Sequence, residues 1–88
     1  MKYRVILKKK ALKGVSKLPK KANQKFSLLL DWLGENGPVA HLFSNYSKLG
    51  KNKHHCHLDY SWVACWTQEG DELKIEVYYV GSRENAPY

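Results

Sequence analysis

Arg83 and Tyr88 follow a stretch of alternating apolar side chains, Leu73 to Val80, in the segment LKIEVYYVGSRENAPY. A strand aims the residue at its exit, and a guanidinium there can clamp a phosphate through two parallel hydrogen bonds. A phenol a few residues on can donate or accept a proton. Upstream, Lys48 to His57 (KLGKNKHHCH) forms a second polar cluster. His55 and His57 sit at alternate positions, so they share one side of a strand, and they titrate near neutral pH. RNA can be cut by its own 2′-hydroxyl, given a base for that proton, an acid for the 5′-oxygen and a cation for the charge on phosphorus. His55, His57, Arg83 and Tyr88 cover those needs, and no metal is required. Lys48, Lys51, Lys53 and His54 can grip the RNA, and Trp62 and Trp66 can stack its bases. The plainer alternatives are solvated histidines, a solubilising lysine loop, and tryptophans covered by a partner or by the tail.

Other chemistries find less support. His54, His55, Cys56, His57 and the later Cys65 are zinc-ligand types, but their spacing matches no common finger, and strand alternation sends Cys56 opposite to His55 and His57. A Cys56–Cys65 bridge is sterically conceivable between neighbouring strands, yet a reducing cytosol favours buried free thiols. There is no P-loop, dinucleotide fingerprint or Ser/His/Asp order. No cofactor and no metal are expected.

These residues need a scaffold. Tyr3, Val5 and Leu7 alternate with polar neighbours, apart from Ile6, in an opening strand. From Lys9 the period changes: Ala11, Leu12, Val15 and Leu18 mark one face of a short helix that Pro19 stops. Gly14 inside it costs about 1 kcal/mol relative to Ala, so this helix must rely on packing. A second helix runs from about Lys20 to Leu33, with Ala22, Phe26, Leu29, Leu30 and Leu33 as its buried stripe, widened by Leu28 and Trp32. Val39 to Phe43 reads as a possible short strand and Ser44 to Lys53 as a polar loop. His54 to Asp59, Trp62 to Thr67 and Leu73 to Val80 read as three strands, the last two joined by a turn at Gln68 to Glu72. The expected class is α+β: an N-terminal strand and a two-helix hairpin on one face of a mostly antiparallel sheet of four or five strands.

A tight turn at Tyr60-Ser61 would set Asp59 against Trp62, Leu58 against Val63, His57 against Ala64, Cys56 against Cys65 and His55 against Trp66. Cross-strand partners share a face. Cys56, Leu58, Val63 and Cys65 would then face the helices. His55, His57, Asp59, Trp62, Ala64 and Trp66 would form the open face. Along the last strand, Leu73, Ile75, Val77 and Tyr79 suit the core, and Lys74, Glu76, Tyr78 and Val80 face away.

With 88 residues the chain is read as a single domain, 1–88, and no apolar stretch approaches a membrane span. A cytoplasmic protein is expected. The net charge is +7, and ten of the fifteen Lys/Arg precede the first acid, Asp31; from Leu58 onward six acids face two bases. So lopsided a charge favours a polyanion such as RNA, or an acidic protein partner, over a purely solubilising role.

The opening strand, ALKGVSKLP with the amphipathic helix after it, the basic loop and the final VGSRENAPY together resemble a RelE/ParE-superfamily toxin of a type II toxin–antitoxin pair, over nearly the full length. The resemblance implies a RelE-like fold and ribosome-dependent cleavage of mRNA in the A site by 2′-hydroxyl attack. It also implies an acidic antitoxin as partner, with operator DNA bound indirectly through it. Arg83 matches the family's phosphate-stabilising Arg, and Tyr88 stands near the place of the tail Tyr, one residue closer to that Arg. His55 and His57 occupy positions where RelE has lysines. Val63 aligns with an Arg that RelE carries on the next strand, and on the faces above it points to the core. ParE-like members share the fold, lack the RNA-cutting set and poison DNA gyrase. A scaffold that mainly binds an antitoxin is a third alternative.

Overall fold

The computed structural model describes residues 2–70 and 72–88. Seven elements follow in order: β1 (Arg4–Leu7), α1 (Lys9–Val15), α2 (Lys20–Asn36), β2 (Ser47–Lys48), β3 (Lys53–Asp59), β4 (Trp62–Thr67) and β5 (Lys74–Ser82). The five strands form one sheet in the order β1-β5-β4-β3-β2. Only β1 and β5 run parallel; the other pairs are antiparallel. A parallel neighbour requires a crossover, and α1 and α2 provide it, covering one face of the sheet. The expected α+β class and two-helix arrangement hold. Asp71, in the expected turn from Gln68 to Glu72, lies outside the described residues.

Each helix boundary has a local cause. Pro19 follows α1 and is the extended N-cap residue of α2. At the other end Gly37 takes φ 94°, and its N–H donates to the Leu33 carbonyl at 3.1 Å. That left-handed conformation is cheap only for glycine, and it carries α2 to Asn36, one turn past the expected end. Ala22, Phe26, Leu29 and Leu33 are buried as expected, whereas Leu28 is exposed and Trp32 and Leu30 are half-buried. On α1 only Ala11 is buried; Leu12 is exposed.

Two stretches differ from expectation. Residues 39–43 form a turn, not a strand. The carbonyls of Pro38 and Val39 accept from indole N–H groups, Trp66 Nε1 at 2.8 Å and Trp32 Nε1 at 3.1 Å, in place of a neighbouring strand. The extra strand is β2, two residues inside the expected loop, paired through Ser47–His55 and Lys48–His54.

The larger difference is register. Asp59 opposes Trp62 across the Tyr60-Ser61 turn, as expected. A bulge at Leu58 then shifts the ladder by one, pairing His57 with Val63, Cys56 with Ala64, His55 with Cys65 and His54 with Trp66. One extra residue on one strand exchanges the faces of everything beyond it on the other. Trp62, Ala64 and Trp66 therefore lie with the helices, and Val63 and Cys65 lie with His55 and His57. A second irregularity sets Cys65 against Tyr79 but Trp66 against Val77, so Tyr78 is the extra residue on β5. Ile75 and Val77 thus face the helices, Tyr79 faces the other way, and Val80 returns to the main core. Leu73, expected in the core, precedes β5 and is exposed.

Candidate active site

The sheet face away from the helices carries a small apolar patch of Val63, Cys65 and Tyr79, flanked by Leu49, Tyr78 and Ala86. His55 and His57 border it on β3, their rings 5.7 Å apart edge to face. The end of β5 is held by its own side chains. Tyr79 donates its hydroxyl to the Ser82 carbonyl at 2.7 Å, and the Arg83 N–H donates to the Ser61 carbonyl at 2.7 Å, pinning Arg83 to the β3–β4 turn. Beyond it the chain reverses: the Asn85 N–H donates to Ser82 Oγ at 3.3 Å and the Ala86 N–H to the Arg83 carbonyl at 3.3 Å. That turn lays Ala86 on the patch and returns Tyr88 to His55, with ring centroids 4.6 Å apart.

His55, His57, Arg83 and Tyr88 are therefore neighbours, although the tail and β3 are distant in sequence. His55 is buried to 7 % exposure, and its Nδ1 lies 3.1 Å from Ser47 Oγ. Burial lowers its pKa, with a hydrogen bond to the Ser47 backbone acting the other way. His57 is half-buried and also lowered, first by burial, then by His55 and then by the charge of Arg83. Both imidazoles are thus set to be neutral at pH 7, the form that can accept a proton. Tyr88 is pushed up, mainly by burial, so its phenol keeps its proton. The Arg83 guanidinium is exposed and lies 5.8 Å from the Tyr60 ring centroid, within cation–π range. Beside it a cleft of about 610 Å³ is lined by Tyr60, Ser61, Trp62, Ser82, Arg83 and Glu84.

The other expected contact residues lie apart from this group. His54 and Trp66 belong to the helix side. Trp66 is fully buried, and His54, 3 % exposed, stacks on it at 6.0 Å, with Tyr46 stacked on both. The Tyr46 hydroxyl and His54 Nδ1 are 2.7 Å apart. Neither ring presents a face to a base, which corrects both expected RNA contacts: the Leu58 bulge turns Trp66 inward from its expected open face, and strand alternation sets His54 on the Cys56 side of β3. Trp62 is half-buried against the main core at the end of the sheet. Lys48 is exposed but in register with His54, on the helix side of β2, while Lys53 keeps the parity of His55 and His57. Lys51 is exposed in the β2–β3 turn. Val63, expected in the core, lies on the site face in register with His57, fully buried. Cys56 and Cys65 are buried free thiols, both pushed up to about 12, chiefly by burial.

Two site residues carried no usable sequence signal. Ser47 was one hydroxyl in a polar loop, and only the short β2 pairing brings it to His55. Tyr60 marks only a turn in the sequence, and its place beside Arg83 depends on the fold of the tail.

No family model matches the sequence, and neither does any curated protein. Solved structures do match in fold. The RelE of the archaeal RelE–RelB complex from Pyrococcus horikoshii superposes with a TM-score of 0.75 at 19% identity, over 98% of this chain and 100% of that one. The YoeB of a Staphylococcus aureus YoeB dimer gives 0.73 at 15% identity, over 92% and 97%. The isolated E. coli RelE toxin gives 0.73 at 17% identity, over 97% and 88%. A five-stranded mixed sheet with two helices on one face, matched nearly end to end in these structures, gives the chain the fold of the RelE and YoeB toxins of toxin–antitoxin pairs.

Proposed function

We propose that this protein is a metal-independent endoribonuclease that cuts mRNA on the ribosome and so stops translation. The supporting observation is the meeting of His55, His57, Arg83 and Tyr88 on the open face of the sheet. A neutral imidazole takes the proton of the 2′-hydroxyl, whose oxygen attacks the adjacent phosphorus in line. Arg83 holds the non-bridging oxygens as charge builds there. Tyr88, whose raised pKa keeps its phenol protonated until then, transfers that proton to the departing 5′-oxygen, and solvent carries the proton held by the imidazole back to the phenolate. The products are a 2′,3′-cyclic phosphate and a new 5′-hydroxyl. A site with so few strong acid–base groups gains much of its rate from a partner that aligns the substrate, and the ribosome supplies that alignment. The matched RelE and YoeB structures include complexes with the antitoxins RelB and YefM. The same kind of partner, acidic here to match the basic chain, is assigned to this one, with operator DNA reached through it.

Val63 favours a second reading. A buried valine beside His57, in place of a site arginine, leaves Arg83 to carry the phosphate charge and suits a ParE-like gyrase inhibitor. Induction of the chain in cells, followed by mapping of RNA 5′ ends, separates the two. Discrete cuts within translated codons are expected; intact messages with blocked gyrase would reject the nuclease.

A further inference from the structure

A second groove, of about 480 Å³, runs between α1 and the end of β5. Lys10, Lys13 and Lys17 line one wall, and the other is formed by Trp62, Tyr79 and the backbone of Val80 to Ser82. Lys10 and Lys13 lie on α1 and Lys17 in the turn after it, so they recur about once per helical pitch, roughly 5.4 Å. All three are exposed, and among the described residues none is in an ion pair. No carboxylate lines the groove.

The groove joins the candidate site. Trp62 and Ser82 line both it and the Arg83 cleft. Tyr79 packs one way on Val63 and Cys65 of the site face, while Lys10 Nζ lies 5.9 Å from its ring centroid. The shared lining thus leads from the Arg83 cleft, past the half-buried Trp62 and Ser82 at the end of the sheet, to the row of lysines.

We infer that this groove binds the single-stranded RNA flanking the scissile phosphate, with Lys10, Lys13 and Lys17 on successive backbone phosphates and Trp62 against a base. Regularly spaced cations along a strip with an aromatic at its entrance are what an extended polynucleotide recognises. The lysines of the β2–β3 turn lie at the far edge of the sheet, so this path is distinct from theirs. The inference deepens the proposed nuclease reading and rests on it for the position of the scissile phosphate.

The test is direct binding, without turnover. Fluorescence anisotropy of labelled 2′-deoxy-oligouridine, which lacks the attacking hydroxyl, is measured with the full chain at several salt concentrations. Probes of about four and about twelve nucleotides span the site sizes of such grooves. The native chain should bind the longer probe more tightly. The Lys10→Gln/Lys13→Gln/Lys17→Gln variant should lose that advantage and show a log–log salt slope shallower by about 2, since each phosphate contact on a single strand contributes about 0.7. The substituted side chains are exposed, and circular dichroism verifies the fold. An unchanged slope and affinity in the variant would overturn the groove, as would absence of binding by the native chain. Lost antitoxin binding with RNA affinity retained would assign the groove to an acidic peptide instead. Arg83→Ala separates the two readings: it should lower cleavage on ribosomes by about 10²–10³-fold while keeping the length advantage. Groove binding by a native chain that cuts no RNA would leave the groove standing and reject the nuclease.

Discussion

Arg83 is held by its backbone, through Ser61, and among the described residues its guanidinium is in no ion pair, which leaves it available to a phosphate. Arg83→Ala should leave the urea midpoint unchanged and lower cleavage by about 10²–10³-fold, the usual loss when one charge-stabilising group is removed. Its charge also lowers the pKa of His57. The native pH–rate profile should therefore rise with its midpoint below the ordinary histidine value of 6.5 and stay flat above it. In Arg83→Ala the residual activity should rise at higher pH than in the native chain, because one of the influences that depress His57 is gone. A rise at the native position would show that His57 is not the base. Ser47 acts on His55 through the Oγ–Nδ1 contact of 3.1 Å. Ser47→Ala should reduce cleavage by about threefold to tenfold, on the scale of one hydrogen bond, with the fold retained.

Packing between elements explains a glycine that helix propensity disfavours. A Cβ on Gly14 would lie 1.6 Å from the Val80 carbonyl oxygen. That atom is backbone near the end of β5, held in the ladder with Ala64 of β4, and cannot swing aside, so α1 can press on the sheet only because position 14 has no side chain. Gly14→Ala gains about 1 kcal/mol in helix propensity, but it forces α1 off β5. Net destabilisation of about 1–3 kcal/mol is expected by urea denaturation, together with loss of cleavage, because β5 aims Arg83. A more stable Gly14→Ala protein would refute this contact. The bulges at Leu58 and Tyr78 work at the same scale. They turn Trp66 inward, where its indole donates to the Pro38 carbonyl and ties the loop after α2 to the sheet.

Across the whole molecule, three of the histidines lie on β3 with pKa values below the usual one, each chiefly through burial. The unfolded chain takes up these protons below about pH 6.5, whereas the folded chain takes them up only at lower pH. Stability is therefore complete above that pH and is lost as pH falls through the window beneath it. His54 is the most buried of the three, in mutual contact with the Tyr46 and Trp66 rings, with the charge of Lys48 adding to the effect. The urea midpoint should drop between pH 7 and pH 5, and His54→Phe should reduce that drop. An equal drop in the variant would remove His54 from the effect.

The sequence by itself determined the class, the order of strand, helix, helix and antiparallel strands, the helix stripe of Ala22, Phe26, Leu29 and Leu33, and the tail arginine at the exit of the last strand. Those features are local: a change of period, a proline, a run of alternating side chains. It also put His55 and His57 on one face, because alternation within a strand does not depend on register. Which other residues share that face was decided only by tertiary structure. A single bulged residue, Leu58, exchanges Trp66 and Val63 between core and site, and no pattern in β3 or β4 alone marks where a strand yields a residue to its partner. Ser47 and Tyr88 likewise reach His55 only through β2 pairing and the reversal after Arg83. Both contacts join distant parts of the chain, and both depend on the packing that fixes the strand ends.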